Sequence, residues 1–286
     1  MSLDRRVNAI RDDLADAALR GAAVAPRYAN GWPAWAVAGL VPVRHEPRPA
    51  AAVDTYYHYG EAVRVFDSAN GYAWCQSLRD CYVGYVAESG LAHGDPPTPT
   101  HFVSGQGAYR YVEPDLRSPV IDFLPRHAAI AVAETGIVCR GTAYARLDAG
   151  GFLPEECLAS APPRSGDLAA AASLYLGCPY LWGGRSFLGL DCSGLVQEAF
   201  RDLGIAVPRD SDMQREAIGS AVVATRLAEL RRDDLIFMPG HVMIYAGKGR
   251  VIHAHGGNMS VRRDRLAALA RSWNRSLSDF VVRRRG

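Results

Sequence analysis

Three residues of this chain have the types and spacing for acyl-transfer chemistry: Cys192, His241 and His253. A cysteine nucleophile needs a base beside it and a third group to orient that base. Cys192 falls in the first turn of a predicted helix, behind the glycine-rich stretch GGRSFLGLD. Amide groups at a helix start point outward with partial positive charge, so the spacing predicts a lowered thiol pKa. The same amides could stabilise the oxyanion on an attacked carbonyl. The structural alternative is a buried cysteine on the helix's apolar stripe. That stripe is Leu195, Val196, Ala199, Phe200 and Leu203, and Cys192 precedes it, among Asp191, Ser193 and Gly194.

The segment HVMIYAGKGRVIHAHG reads as a hairpin turning at Gly247 and Lys248, which sets His241 nearly opposite His253. His241 would then take the proton of Cys192 and return it to a leaving amine, while His253 fixes the tautomer of His241. Two unrelated core histidines are the alternative. His255 shares the strand face of His253, so three imidazoles could instead bind zinc. A zinc site would leave the helix-start cysteine unexplained. The expectation is therefore that no metal or cofactor is used, and that His255 is a neighbour of the site or faces solvent.

These residues need elements to hold them. DLAAAASLYLG reads as a helix ending at Gly177, and a second helix runs from about 192 to 203 with Gly204 beyond its end. DDLIFM, HVMIYAG and GRVIHAHG follow as short strands, an α+β layout. Upstream, from about 26 to 160, short β-like runs alternate with Gly, Pro, Asp and Asn, suggesting small barrels. A weak repeat relates GEAVRVFDSANGYAWC and DCYVGYVAESGL to HAAIAVAETGIVCRG and DAGGFLPEECL. Val7, Ile10, Leu14 and Ala18 predict a helix over 3–20, stopped by Gly21. With GDPPTPT and APPRSG as connections, the expected organisation is an N-terminal helix over 1–25, β domains over 26–93 and 94–160, and a catalytic domain over 161–286.

Composition narrows the class. The 286 residues carry 32 Lys+Arg against 30 Asp+Glu, too balanced for a broad nucleic-acid-binding field. The charged start MSLDRRVNAIRDDL lacks the apolar core of an export signal, and no stretch approaches the roughly 18 apolar residues of a spanning helix. No membrane partner is expected. Six cysteines without a C-x-x-C pair fit a reducing compartment, so the expected location is cytoplasmic.

LDCSGLVQEAF, then HVMIYAG and VIHAH, resembles the NlpC-type cysteine peptidases, as does PYLWGGRS upstream. The resemblance covers roughly 166 to 286. It implies a papain-like fold with the triad Cys192, His241 and His253. Two SH3-like barrels before such a domain resemble the γ-D-glutamyl-L-diamino acid endopeptidases of murein recycling. Those cut stem peptides whose N-terminal L-Ala is free. The resemblance implies that Asp191 and Glu61, aided by Tyr82, bind the substrate's ammonium, with Tyr85 the runner-up to Tyr82. It implies that Tyr180 lines the oxyanion hole and that Ser193 and Ser211 contact the D-Glu. Structural alternatives are a helix cap for Asp191, a solvated turn for Glu61, a core aromatic for Tyr82 and turn serines for the last two. Where the family often has DGY, this chain has DCY at 80–82. An amidase or acyltransferase on the same fold, or a non-catalytic wall-peptide binder, are the competing functions.

Overall fold

The computed structural model describes residues 3–285. The chain forms two compact units, one ending at Pro163 and the other beginning at Arg164.

The first unit is built almost wholly from short antiparallel strands. Seven make one sheet, in the order Val53–His58, Leu40–Arg44, Val83–Ala87, Tyr72–Ser77, Ala62–Ala69, Trp32–Ala36, Leu91–His93. Alternation sends Val63, Val65, Ala73 and Cys75 into a core with Val41, Val43 and Tyr57. Beyond it lie a five-stranded sheet, with Thr142–Leu147 paired to Val132–Cys139, and a three-stranded sheet centred on His101–Val103. The two halves are not separately packed. Trp35 and Tyr59 of the first, meeting edge to face at 5.6 Å, join the core of the second with Val103, Leu124, Ile130 and Leu153. Asp122 of the second half accepts a hydrogen bond from the Gly39 amide at 2.8 Å.

The helix expected over 3–20 does not form. Leu14–Asp16 is a strand paired in parallel with Arg27–Ala29, followed by a 3₁₀ turn over Ala17–Leu19 whose Ala18 amide donates to the Asp16 carboxylate. Four apolar residues at helical spacing were outweighed by tertiary contacts. Ala9 and Leu14 pack on Phe66 and Trp74, while Arg11 lies over the Trp74 ring and pairs with Asp67 at 2.5 Å.

The second unit sets four helices around a six-stranded antiparallel sheet. The helices are α1 (Leu168–Ser173), α2 (Cys192–Arg201), α3 (Ser211–Ala217) and α4 (Leu266–Ser272). The strands are β1 (Ser220–Val222), β2 (Leu235–Met238), β3 (His241–Gly247), β4 (Arg250–His255), β5 (Ser260–Arg265) and β6 (Val281–Arg284), in the order β1-β6-β2-β3-β4-β5. Both faces are covered, which explains the unbroken apolar runs LIFM and VMIY. On one face Val196, Ala199 and Phe200 of α2 meet Leu235, Phe237, Val242, Ile244 and Ile252. On the other, Ile236, Met243 and Val251 meet Leu266 and Ala270 of α4. No helix among the described residues is long and apolar enough to cross a membrane.

Candidate active site

The start of α2 is held by a buried ionic knot. Asp191 is the helix cap, its Oδ1 accepting from the Gly194 amide at 2.7 Å, while Oδ2 accepts from the Gly183 amide at 2.9 Å. Arg209, 1% exposed, grips the same carboxylate with two bonds of 3.0 and 2.5 Å and donates to the Ser193 hydroxyl at 2.8 Å. Position 194 must be glycine, because a Cβ there would lie 2.2 Å from the Gly184 carbonyl oxygen. The knot therefore fixes the backbone that carries Cys192.

Cys192 is buried, with its Sγ 4.0 Å from the Gly240 carbonyl oxygen. The amides of Val242 and Ser193 both favour its thiolate. The sulfur thus lies against the main chain on either side of His241. Its titration runs opposite to the sequence expectation. Burial, with the Asp191 charge next, pushes the thiol up to about 11, and this outweighs Arg209 and the amides. The carboxylate that caps the helix thus stands close enough to the sulfur to work against the thiolate that the helix start was expected to favour.

The hairpin forms as expected, with Gly247, Lys248 and Gly249 at positive φ and Ile244 opposite Ile252. His241 and His253 share a sheet face. Nε2 of His241 is 2.8 Å from Nδ1 of His253, and Nε2 of His253 is 3.2 Å from Oδ2 of Asp264 on β5. With Nε2 of His241 turned to His253, Nδ1 is the nitrogen on the other side of the ring. Burial first, then the neighbouring rings, pushes His241 down to about 3. Burial also brings His253 down to about 4, against the opposing pull of Asp264. Both imidazoles are therefore neutral at pH 7. His255 bonds Asn258 through Nδ1 at 2.7 Å, and Trp273 stands 5.9 Å from the His241 ring and 6.1 Å from that of His255. The direct ring-to-ring bond uses nitrogens that a shared zinc ion would need. Among the described residues no group of three or more His, Cys, Asp or Glu is arranged for a metal.

The other expected residues have these places. The Tyr180 hydroxyl is pushed up to about 12 by burial, then by the charges of Cys192 and Asp191. Ser193 belongs to the Arg209 knot, 3.3 Å from Asp191. Ser211 is half-buried in the first turn of α3. In the first unit, Glu61 is buried and bonded to Arg79 at 2.8 Å. Tyr82 is also buried, its carbonyl accepting from the Tyr57 hydroxyl, while Tyr85 receives a long bond from Arg11 at 3.5 Å. Cys81 has φ +63, the left-handed conformation that glycine adopts freely and that costs another residue about 1–2 kcal/mol. The steric demand for DGY is thus present here although the glycine is not. Sequence reasoning missed Arg209, Asp264 and Trp273. Arg209 sits two residues before Ser211, and Asp264 lies at alternate spacing within VRRD, but only strand register shows what each touches.

Comparison with known proteins fits this arrangement. Residues 177–276 match the NlpC/P60 family, and residues 43–91 match the bacterial dipeptidyl-peptidase Sh3 domain. The chain carries an NlpC/P60 domain. It is joined here to an SH3-like domain, and one relative, 38% identical over 117 residues that cover 34% of this chain and 47% of its own, is named peptidoglycan endopeptidase RipB of Mycobacterium tuberculosis. Dipeptidyl-peptidase 6 of Lysinibacillus sphaericus is 40% identical over 85 residues, covering 29% of this chain and 30% of its own. The γ-D-glutamyl-L-lysine dipeptidyl-peptidase of Bacillus cereus is 36% identical over 107 residues, covering 35% and 31%. The matches thus span about a third of these relatives' length. A crystal structure of an NlpC/P60 family protein from Bacillus cereus shares the fold, with TM-score 0.71 and 21% identity over 88% of this chain and 99% of that one.

Proposed function

We propose that the protein is a cysteine endopeptidase cutting the γ-D-glutamyl to L-diamino acid bond of murein stem peptides with a free N-terminal L-Ala, in peptidoglycan recycling. Cys192 is the nucleophile, His241 its general base and His253 the residue that orients the base. The observation carrying this reading is the ring-to-ring bond of 2.8 Å, which turns Nε2 of His241 away and leaves Nδ1 for the proton of a thiol held against the same stretch of main chain. Since thiol and imidazole both rest neutral, the proton passes to His241 as sulfur attacks the γ-carbonyl of D-Glu. The acyl-enzyme forms as the diamino acid leaves with that proton, and water then releases the dipeptide.

The names of two relatives, γ-D-glutamyl-L-lysine dipeptidyl-peptidases of Bacillus cereus and Bacillus subtilis, support the substrate class. Glu61, Tyr82 and Asp191 are assigned to the substrate's ammonium, Tyr180 to the oxyanion, and Ser193 and Ser211 to the D-Glu. The segment 94–160 is assigned as a second SH3-like copy, and six unpaired cysteines support a cytoplasmic setting. One observation favours a second reading, the same chemistry on an acyl substrate without a free amine. Both carboxylates assigned to the ammonium are already paired with arginines, Asp191 with Arg209 and Glu61 with Arg79.

Mass spectrometry of the free tripeptide L-Ala-γ-D-Glu-diaminopimelate and of its N-acetylated form separates the readings. Cleavage of the free form alone, abolished in Cys192→Ala, supports the endopeptidase. Equal rates on both forms reject the ammonium assignment. Turnover surviving in Cys192→Ala rejects the nucleophile.

A further inference from the structure

We propose that Asp264 is a positioning residue of this site: by accepting a hydrogen bond from Nε2 of His253 it fixes the tautomers of both histidines, leaving a bare lone pair on Nδ1 of His241. The inference rests on the reading of His241 as general base. An ionised carboxylate can only accept hydrogen bonds. Burial works against the charge of Asp264, but Arg262 and His253 hold its carboxyl below the usual range, so it is ionised at pH 7. The nitrogen facing it, Nε2 of His253, must therefore carry the single proton of a neutral ring. Nδ1 of His253 is then an acceptor, and Nε2 of His241, 2.8 Å away, must be the donor. That uses the only proton of neutral His241. Without an acceptor at position 264, His253 could hold its proton on Nδ1, which would drive the proton of His241 onto Nδ1 and block the base.

Sheet geometry makes this possible. In the β4–β5 pairing Val251 faces Asp264 and His253 faces Arg262, so Asp264 lies diagonally from His253 on the same face. Arg262 donates to both Asp264 oxygens, at 3.1 and 3.3 Å, and holds the carboxylate in place. Arg262, Asp264, His241 and His255 are the charged or titratable groups acting on His253.

Long-range ¹H–¹⁵N spectra of the full chain labelled at histidine read the tautomers directly, and turnover of the free tripeptide reads the consequence. Both rings should carry Nε2–H in the parent protein. Asp264→Ala should put part of the His241 population into the Nδ1–H form and lower kcat about 10- to 100-fold, the usual cost of losing a histidine's orienting partner, with KM within about threefold. Asp264→Asn, nearly isosteric and still offering an oxygen acceptor, should restore the tautomers and most of kcat; it also serves if the alanine variant does not fold. Unchanged tautomers in Asp264→Ala, or kcat within about twofold of the parent, would overturn the proposal, as would an asparagine variant no better than alanine. If Cys192→Ala keeps its turnover the catalytic reading fails instead, and the spectra still decide the role of Asp264.

Discussion

Arg209→Met tests whether the buried knot at the start of α2 holds Asp191 and the helix start in place. Arg209 is 1% exposed and makes three short bonds, two to Asp191 and one to Ser193. Methionine replaces much of its volume but none of its donors. Asp191 would keep its two amide donors, Gly194 and Gly183, yet stay buried with its charge uncompensated. Breaking one side of a buried pair costs about 3–5 kcal/mol, most of it from the charge left behind. The helix cap survives, so its ~1 kcal/mol is not added. The companion Asp191→Asn removes that stranded charge, so the double variant should be less destabilised than the sum of the two single changes, by up to ~3 kcal/mol. With two units in the chain, one global unfolding energy is not well defined. Hydrogen exchange at the amides of Gly183 and Gly194, alongside calorimetric melts, reads the local loss. In the folded fraction the thiol should titrate higher than about 11, because Arg209 is among the groups that favour the thiolate; absorbance at 240 nm follows it. A loss under ~1 kcal/mol, with additive single changes, would show that Asp191 does not depend on Arg209.

Two further outcomes follow from the neutral resting pair. With His241 near 3 and Cys192 near 11, kcat/KM on the free tripeptide should be flat from about pH 5 to pH 7 and fall only as the substrate's own ammonium titrates at about 8, while an acid limb near 6.5 would mean that His241 titrates as an ordinary imidazole. Stability should also fall in acid, since unfolded histidines protonate near 6.5 whereas His241 and His253 resist until about 3 and 4: the contribution is whole above pH 6.5 and is lost as pH falls toward 4, by up to several kcal/mol. Melts between pH 7 and 4 check this, and His253→Gln should flatten the dependence.

What the sequence disclosed was local. The capped start of α2, its apolar stripe and the glycine-lysine turn each depend on residues a few places apart, and all three are present. What it hid was tertiary. The segment around Ile10 has helical spacing, but the ion pair of Arg11 with Asp67 and the packing of Leu14 on Trp74 hold it extended. The repeat suggested separate β domains, whereas Trp35 and Tyr59 are spent in the core of the other half. Arg209 and Asp264 were not singled out, because a string of letters does not carry strand register or burial.

The reversed direction of the thiol's shift follows from the same distinction, and it alters the chemistry. A helix start is readable and argues for a thiolate, but the dehydration that decides the matter comes from residues far apart in sequence, such as Leu168, Val242 and Ile252 in the core that Cys192 joins. In the proposed mechanism a neutral thiol and a neutral imidazole need a base whose lone pair already points the right way, because no ion pair does the aligning. That places the demand on the tautomer of His241, and the tautomer is set two steps away, by the carboxylate that His253 must face. The deeper the pair is buried, the more its reactivity depends on which nitrogen holds the proton.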